Sequence, residues 1–82
     1  MAKGRILAID DEKFFHELYR DLLTPEGYAV RCVSGGEEAL ELLKREDFDL
    51  VISDLEMPGL DGVETSRRIK LFNPDQEVIV VS

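Results

Sequence analysis

A lone cysteine, Cys32, leaves this 82-residue chain without an intrachain disulfide, as expected for a domain in a reducing compartment. No apolar run approaches the roughly 20 residues that cross a bilayer. The opening Met1-Ala2-Lys3-Gly4 has no signal-peptide core. Positive charge is scarce: 10 Lys and Arg against 18 Asp and Glu give a formal net charge of -8. Phosphate backbones bind a positive face, so this balance argues against nucleic acid as a direct partner. No basic amphipathic segment is offered to an anionic membrane. G-x-x-x-x-G-K-[ST] is missing, which excludes a nucleotide P-loop. Repeats, linkers and low-complexity segments are missing too. One small soluble domain, cytoplasmic in location, is the expectation.

Apolar residues make up 44% of the chain, enough for a small core. They gather in four runs: Ile6 to Ile9, Ala29 to Val33, Leu50 to Ile52 and Val78 to Val81. Three are nearly continuous Val, Ile and Leu, the pattern of strands covered on both faces of a parallel sheet. The second carries Arg31 in its middle and is expected at an edge.

Helical patterns separate the runs. Phe14, Leu18 and Leu22, with Phe15, Tyr19 and Leu23, form one broad stripe ended by Pro25 and Gly27. Ser34 and Glu37 have capping-box spacing before a face of Ala39, Leu40 and Leu43. Asp61 and Glu64 repeat that spacing before Val63, Ile69 and Phe72, and Asn73-Pro74 ends the pattern. The order βαβαβαβ predicts a parallel α/β sheet with right-handed crossovers.

Open parallel sheets bind ligands beyond the carboxyl ends of their strands, where strand order reverses. Asp10 and Asp11 follow the first strand, Asp54 the third and Ser82 the fourth. An order of 3-2-1-4 separates the first and third strands, whereas 2-1-3-4 makes them neighbours. Each aspartate alone is ordinarily a turn or N-cap residue. As a set flanking one switch point they read differently, because adjacent carboxylates oppose one another's ionisation. A hard divalent cation such as Mg²⁺ relieves that repulsion. An EF-hand register from Asp54 fails: Pro58 falls at its fifth position and Thr65 where a bidentate glutamate belongs.

Three segments, "ILAIDDE", "LVISDLEMPGLDG" and "VIVVS", resemble the receiver domains of two-component response regulators. A haloacid-dehalogenase-like phosphatase, which needs D-x-D after its first strand, is not matched by "IDDE". The receiver resemblance extends over residues 1–82 and implies a flavodoxin-like doubly wound sheet of order 2-1-3-4. It implies Asp54 as phosphoacceptor, with Mg²⁺ held by Asp10, Asp11, Asp54 and the backbone carbonyl of Glu56. Ser82 would donate its hydroxyl to a phosphoryl oxygen. The donor would be the phosphohistidine of a sensor histidine kinase, or a small phosphodonor, and the chain would turn over no metabolite. An aspartyl phosphate suits a carboxylate nucleophile, and positioning with charge neutralisation suits phosphoryl transfer. Pro58 would fix the loop past Asp54, with Gly59 and Gly62 free for positive φ.

Against the family pattern the chain would be a partial domain, lacking helix four, strand five and helix five. Lys3, Lys13, Lys44 and Lys70 do not occupy the position of the family's phosphoryl-contacting lysine. Metal binding is then expected to survive if the fold does, and phosphorylation to be slow or undetectable. Val78 to Val81 would form an uncovered apolar edge, predicting a homodimer by edge pairing or exchange of elements. The alternative reading is a non-phosphorylated receiver fragment acting as an interaction or dimerisation module. Among other residues, His16 is expected to face solvent, Cys32 to be a small core hydrophobe and Met57 to pack the loop. Glu12 is open between the acidic cluster and the start of the first helix. Glu56 would lie near the path of an attacking water, and Arg67, Arg68 and Lys70 would form a solvated face.

Overall fold

The computed structural model describes residues 3–81. Its elements are β1 (Gly4–Ile9), α1 (Lys13–Leu23), β2 (Tyr28–Val33), α2 (Gly36–Leu43), β3 (Leu50–Asp54), α3 (Gly62–Phe72) and β4 (Val78–Val81). All strand pairings are parallel, in the order β2-β1-β3-β4. The order that makes the first and third strands neighbours is therefore the one adopted. β2 is an outer strand, as its central charge led us to expect: Arg31 reaches Glu46 at 3.2 Å.

Side chains of a strand alternate between faces, and the two faces here are covered unequally. Leu7, Ile9, Val33 and Val51 point into one core with Ala39, Leu42 and Leu43 of α2 and Ile69 of α3. Phe48 and Met57 close it from the loops. The alternate residues, Ala8, Ile52 and Ile79 in register across three strands, face the side of α1. That helix buries none of its residues: Phe14 remains 66% exposed and Leu22 60%. Its apolar stripe is real, but among the described residues α1 is the only helix on its face, and four of the six stripe residues, Phe14, Phe15, Leu18 and Leu22, remain exposed.

Two local expectations need correction. Ser34 does not cap α2. Gly35 is the N-cap, with extended φ of -159° and no side-chain cap, and the Ser34 N–H donates to Glu38 Oε1 at 3.1 Å. The extended glycine takes the N-cap position, leaving the start of α2 without a side-chain cap. Asp61 does cap α3, accepting from the Glu64 N–H at 2.8 Å. Of the apolar residues expected on the packed face of α3, Ile69 is buried, but Val63 and Phe72 are exposed and Thr65 is buried in their place. The close approach of α2 sets this rotation, for a Cβ on Gly36 would collide with the Thr65 side chain.

Candidate metal centre

β1 and β3 are hydrogen-bonded neighbours with Ile9 opposite Ser53, so the residues that follow on each, Asp10 and Asp54, emerge side by side. One carboxylate oxygen from each of Asp10, Asp11 and Asp54 lies within 4.8 Å of the other two. Asp10 is buried, Asp54 half-buried and Asp11 exposed, which makes a pocket open on one side. Burial pushes the Asp10 carboxyl above its ordinary value, and the charges of Asp54 and Asp11 push the same way. The Glu12 N–H and His16 oppose that shift. Among the described residues no Lys or Arg forms an ion pair with any of the three. Three hard oxygens, mutually repelling and without a protein cation, match the ligand preference of Mg²⁺.

The loops hold this arrangement through their backbones. The Asp10 N–H donates to Val33 O at 3.1 Å, and Asp10 Oδ1 accepts from the Glu12 N–H at 2.9 Å. Beyond Asp54, the Leu55 N–H donates to Val81 O at 2.7 Å and the Gly62 N–H to Leu55 O at 2.9 Å. Gly62 has no room for a side chain, since a Cβ there would run into the backbone of Asp54 and Leu55. Gly59 adopts φ of 79°, the left-handed conformation the turn needs. Met57 is buried in the core and anchors this loop, as expected.

Glu56 is exposed two residues past Asp54, and Ser82 lies outside the described residues. Glu12 is the N-cap of α1 without a side-chain cap bond, and only its N–H joins the acidic site. Cys32 is half-buried, its thiol 3.7 Å from His16 O. His16 departs from its expected place facing solvent, away from the strand ends: it is half-buried, with Nε2 2.6 Å from Asp10 O. The available signal was position, because the first turn of a helix starting at residue 13 folds back over the end of β1. Tyr19, three residues on, shares that face; burial and then the Asp10 and Asp54 charges raise its phenol above the ordinary value.

A doubly wound parallel sheet with acidic residues gathered where strand order reverses defines a phosphate- or cation-handling class of α/β domain. This chain belongs to the response regulator receiver domain family, whose family model matches residues 6–82. Sporulation initiation phosphotransferase F of Bacillus subtilis is 32% identical, covering all of this chain and 66% of that protein. Response regulator MprA of Mycobacterium leprae is 37% identical over 95% of this chain and 34% of its own length. The chain thus spans about a third to two thirds of these relatives. Among solved structures, the response regulator TrrA of Thermotoga maritima in complex with Mg(2+)-BeF matches with a TM-score of 0.90 and 40% identity, covering 98% of this chain and 68% of TrrA. A complex of the histidine kinase ThkA with TrrA matches at a TM-score of 0.89, 40% identity, 98% of this chain and 67% of that one. Receiver domains are the phosphoacceptors of two-component signalling. Among the described residues no helix is long and apolar enough to cross a membrane.

Proposed function

We propose that this chain accepts a phosphoryl group on Asp54 from the phosphohistidine of a sensor histidine kinase. Asp10, Asp11, Asp54 and the Glu56 carbonyl would hold Mg²⁺, and Ser82 would donate its hydroxyl to a phosphoryl oxygen. The observation that carries the reading is the convergence of three carboxylate oxygens within 4.8 Å at the ends of β1 and β3. When bound, Mg²⁺ would neutralise charge on the transferring group. Asp54 is the nucleophile: its carboxylate oxygen attacks phosphorus as the bond to the donor's nitrogen breaks, leaving an acyl phosphate on the protein. Asp10 and Asp11 do not react; they set the charge and position of the pocket.

No basic side chain of the described residues pairs with the trio, and labelling of the 82-residue chain is expected to be slow. Incubation with acetyl phosphate and Mg²⁺, followed by mass spectrometry, tests this. The expected result is a slowly formed, hydrolysis-labile phosphoryl group at residue 54, lost in Asp54→Asn. Labelling that persists in Asp54→Asn would overturn the assignment.

The bare apolar face favours a second reading, an interaction or dimerisation module formed by edge pairing or exchange of elements. Ile79 is 50% exposed on outer strand β4, and Phe14 and Leu22 of α1 are exposed as well. Exposed edges and apolar patches of this kind pair with other chains. Light scattering at high concentration is expected to give a dimer; a monomer removes this reading.

A further inference from the structure

We infer that His16 is a positioning residue for the metal centre, acting through the backbone of Asp10; the inference rests on the metal-centre reading above. Ladder pairing between β1 and β3 ends at Ile9 and Ser53, so the Asp10 carbonyl lies just past the last strand partner while its residue is buried, 4% exposed. A buried carbonyl needs a donor. His16 supplies it, with Nε2 at 2.6 Å. A carbonyl can only accept, so the proton of the neutral ring sits on Nε2.

With this bond, three of the four polar groups of Asp10 are engaged. Its N–H donates to Val33 O, its carbonyl accepts from His16, and Oδ1 accepts from the Glu12 N–H. Only Oδ2 has no partner among the described residues, and it is the oxygen left for a cation. His16 is itself held from the opposite side. Its own carbonyl accepts from the Cys32 thiol of β2, and its N–H lies 3.4 Å from Glu12 O in the first turn of α1. The His16 side chain thus ties α1 to the end of β1 through the Asp10 backbone, while its own backbone carbonyl meets Cys32 of β2. The identity of residue 16 matters because the donor must reach back about one helical turn from Cα, a reach Gln matches through its own Nε2 and Phe cannot supply.

The test compares the 82-residue chain with His16→Phe and His16→Gln by calorimetric titration with MgCl₂, alongside nitrogen-edited NMR of the His16 ring. Removing an oriented partner of a metal ligand weakens metal binding by about 10- to 100-fold; acting through the backbone, His16→Phe is expected at the lower end, roughly tenfold. His16→Gln should restore most of the affinity. The NMR spectrum of the metal-free chain should show the proton on Nε2, a signature of the bond that does not depend on metal. Equal Mg²⁺ affinity in wild type and His16→Phe would overturn the inference while leaving the metal centre standing. A ring protonated on Nδ1 alone would overturn it directly, even if His16→Phe does not fold. Absence of Mg²⁺ binding in wild type would remove the metal-centre reading and this inference together.

Discussion

Asp10 resists ionisation in the folded chain, because burial and the neighbouring Asp54 and Asp11 charges all favour its protonated form. In the unfolded chain it is solvated and gives up its proton at the ordinary carboxylate value. Between that value and the raised one the folded state therefore holds the extra proton, and this group's contribution to stability falls as pH rises through the window. Mg²⁺ binding has the opposite dependence, since the cation needs the ionised carboxylate. Acidification from about pH 7 toward the carboxylate range is thus expected to weaken Mg²⁺ binding, with proton release on titration. Asp10→Asn removes the repulsion but keeps an oxygen to accept the Glu12 N–H. It should raise metal-free stability by about 1 kcal/mol, as relief of a functional strain commonly does, and abolish Mg²⁺ binding. Thermal melts with and without MgCl₂ check both effects; a variant less stable than wild type would show that the carboxylate is held by attraction instead.

Among the elements, the junction of β3 with α3 carries the most constraint for its length. Asp61 closes the first turn of α3 by accepting from the Glu64 N–H, and Gly62 brings that turn against the backbone of Asp54 and Leu55. The two residues differ in consequence. Asp61→Ala loses a cap, at a cost of about 1 kcal/mol, without moving Asp54. Gly62→Ala forces a methyl into a filled space, costing about 1 to 3 kcal/mol, and displaces the backbone that aims Asp54. Urea unfolding should show both losses, with Mg²⁺ affinity falling markedly only in Gly62→Ala. If both variants bind Mg²⁺ like wild type, the helix start is mere scaffolding. At the other end of the strands, Arg5 is stapled to Glu46 and to Asp47 O and lies over the Phe48 ring, which closes the loop entering β3.

For the whole molecule the dominant feature is asymmetry of cover. Among the described residues, α2 and α3 seal one face of the sheet with Leu42, Leu43 and Ile69, whereas Phe14, Leu22 and Ile79 stay half or more exposed on the other. Ile79 offers the cleanest probe, being on an outer strand and outside the core. Ile79→Lys is expected to shift the light-scattering mass from dimer to monomer while changing stability by no more than about 0.5 kcal/mol, as at an ordinary surface position. Persistence of the dimer in this variant would locate association elsewhere.

Alternation, periodicity and caps act over a strand or a turn, and at that range much was legible in the sequence, although the Ser34 cap did not form. The sequence set the order of seven elements, the edge position of the strand bearing Arg31, the Asp61 cap and the delivery of aspartates to strand ends. The packing of α1 and α3 was less legible: Phe14, Leu22, Val63 and Phe72 have apolar character yet remain mostly exposed among the described residues. Which strands adjoin, and hence whether Asp54 meets Asp10 and Asp11, was open between two orders until the receiver resemblance favoured one, because pairing joins residues more than 40 positions apart. Tertiary structure decided that, and it also turned His16 from solvent onto the Asp10 carbonyl. A helix pattern specifies which side chains share a face; only the packing of that helix on its sheet specifies what the face meets.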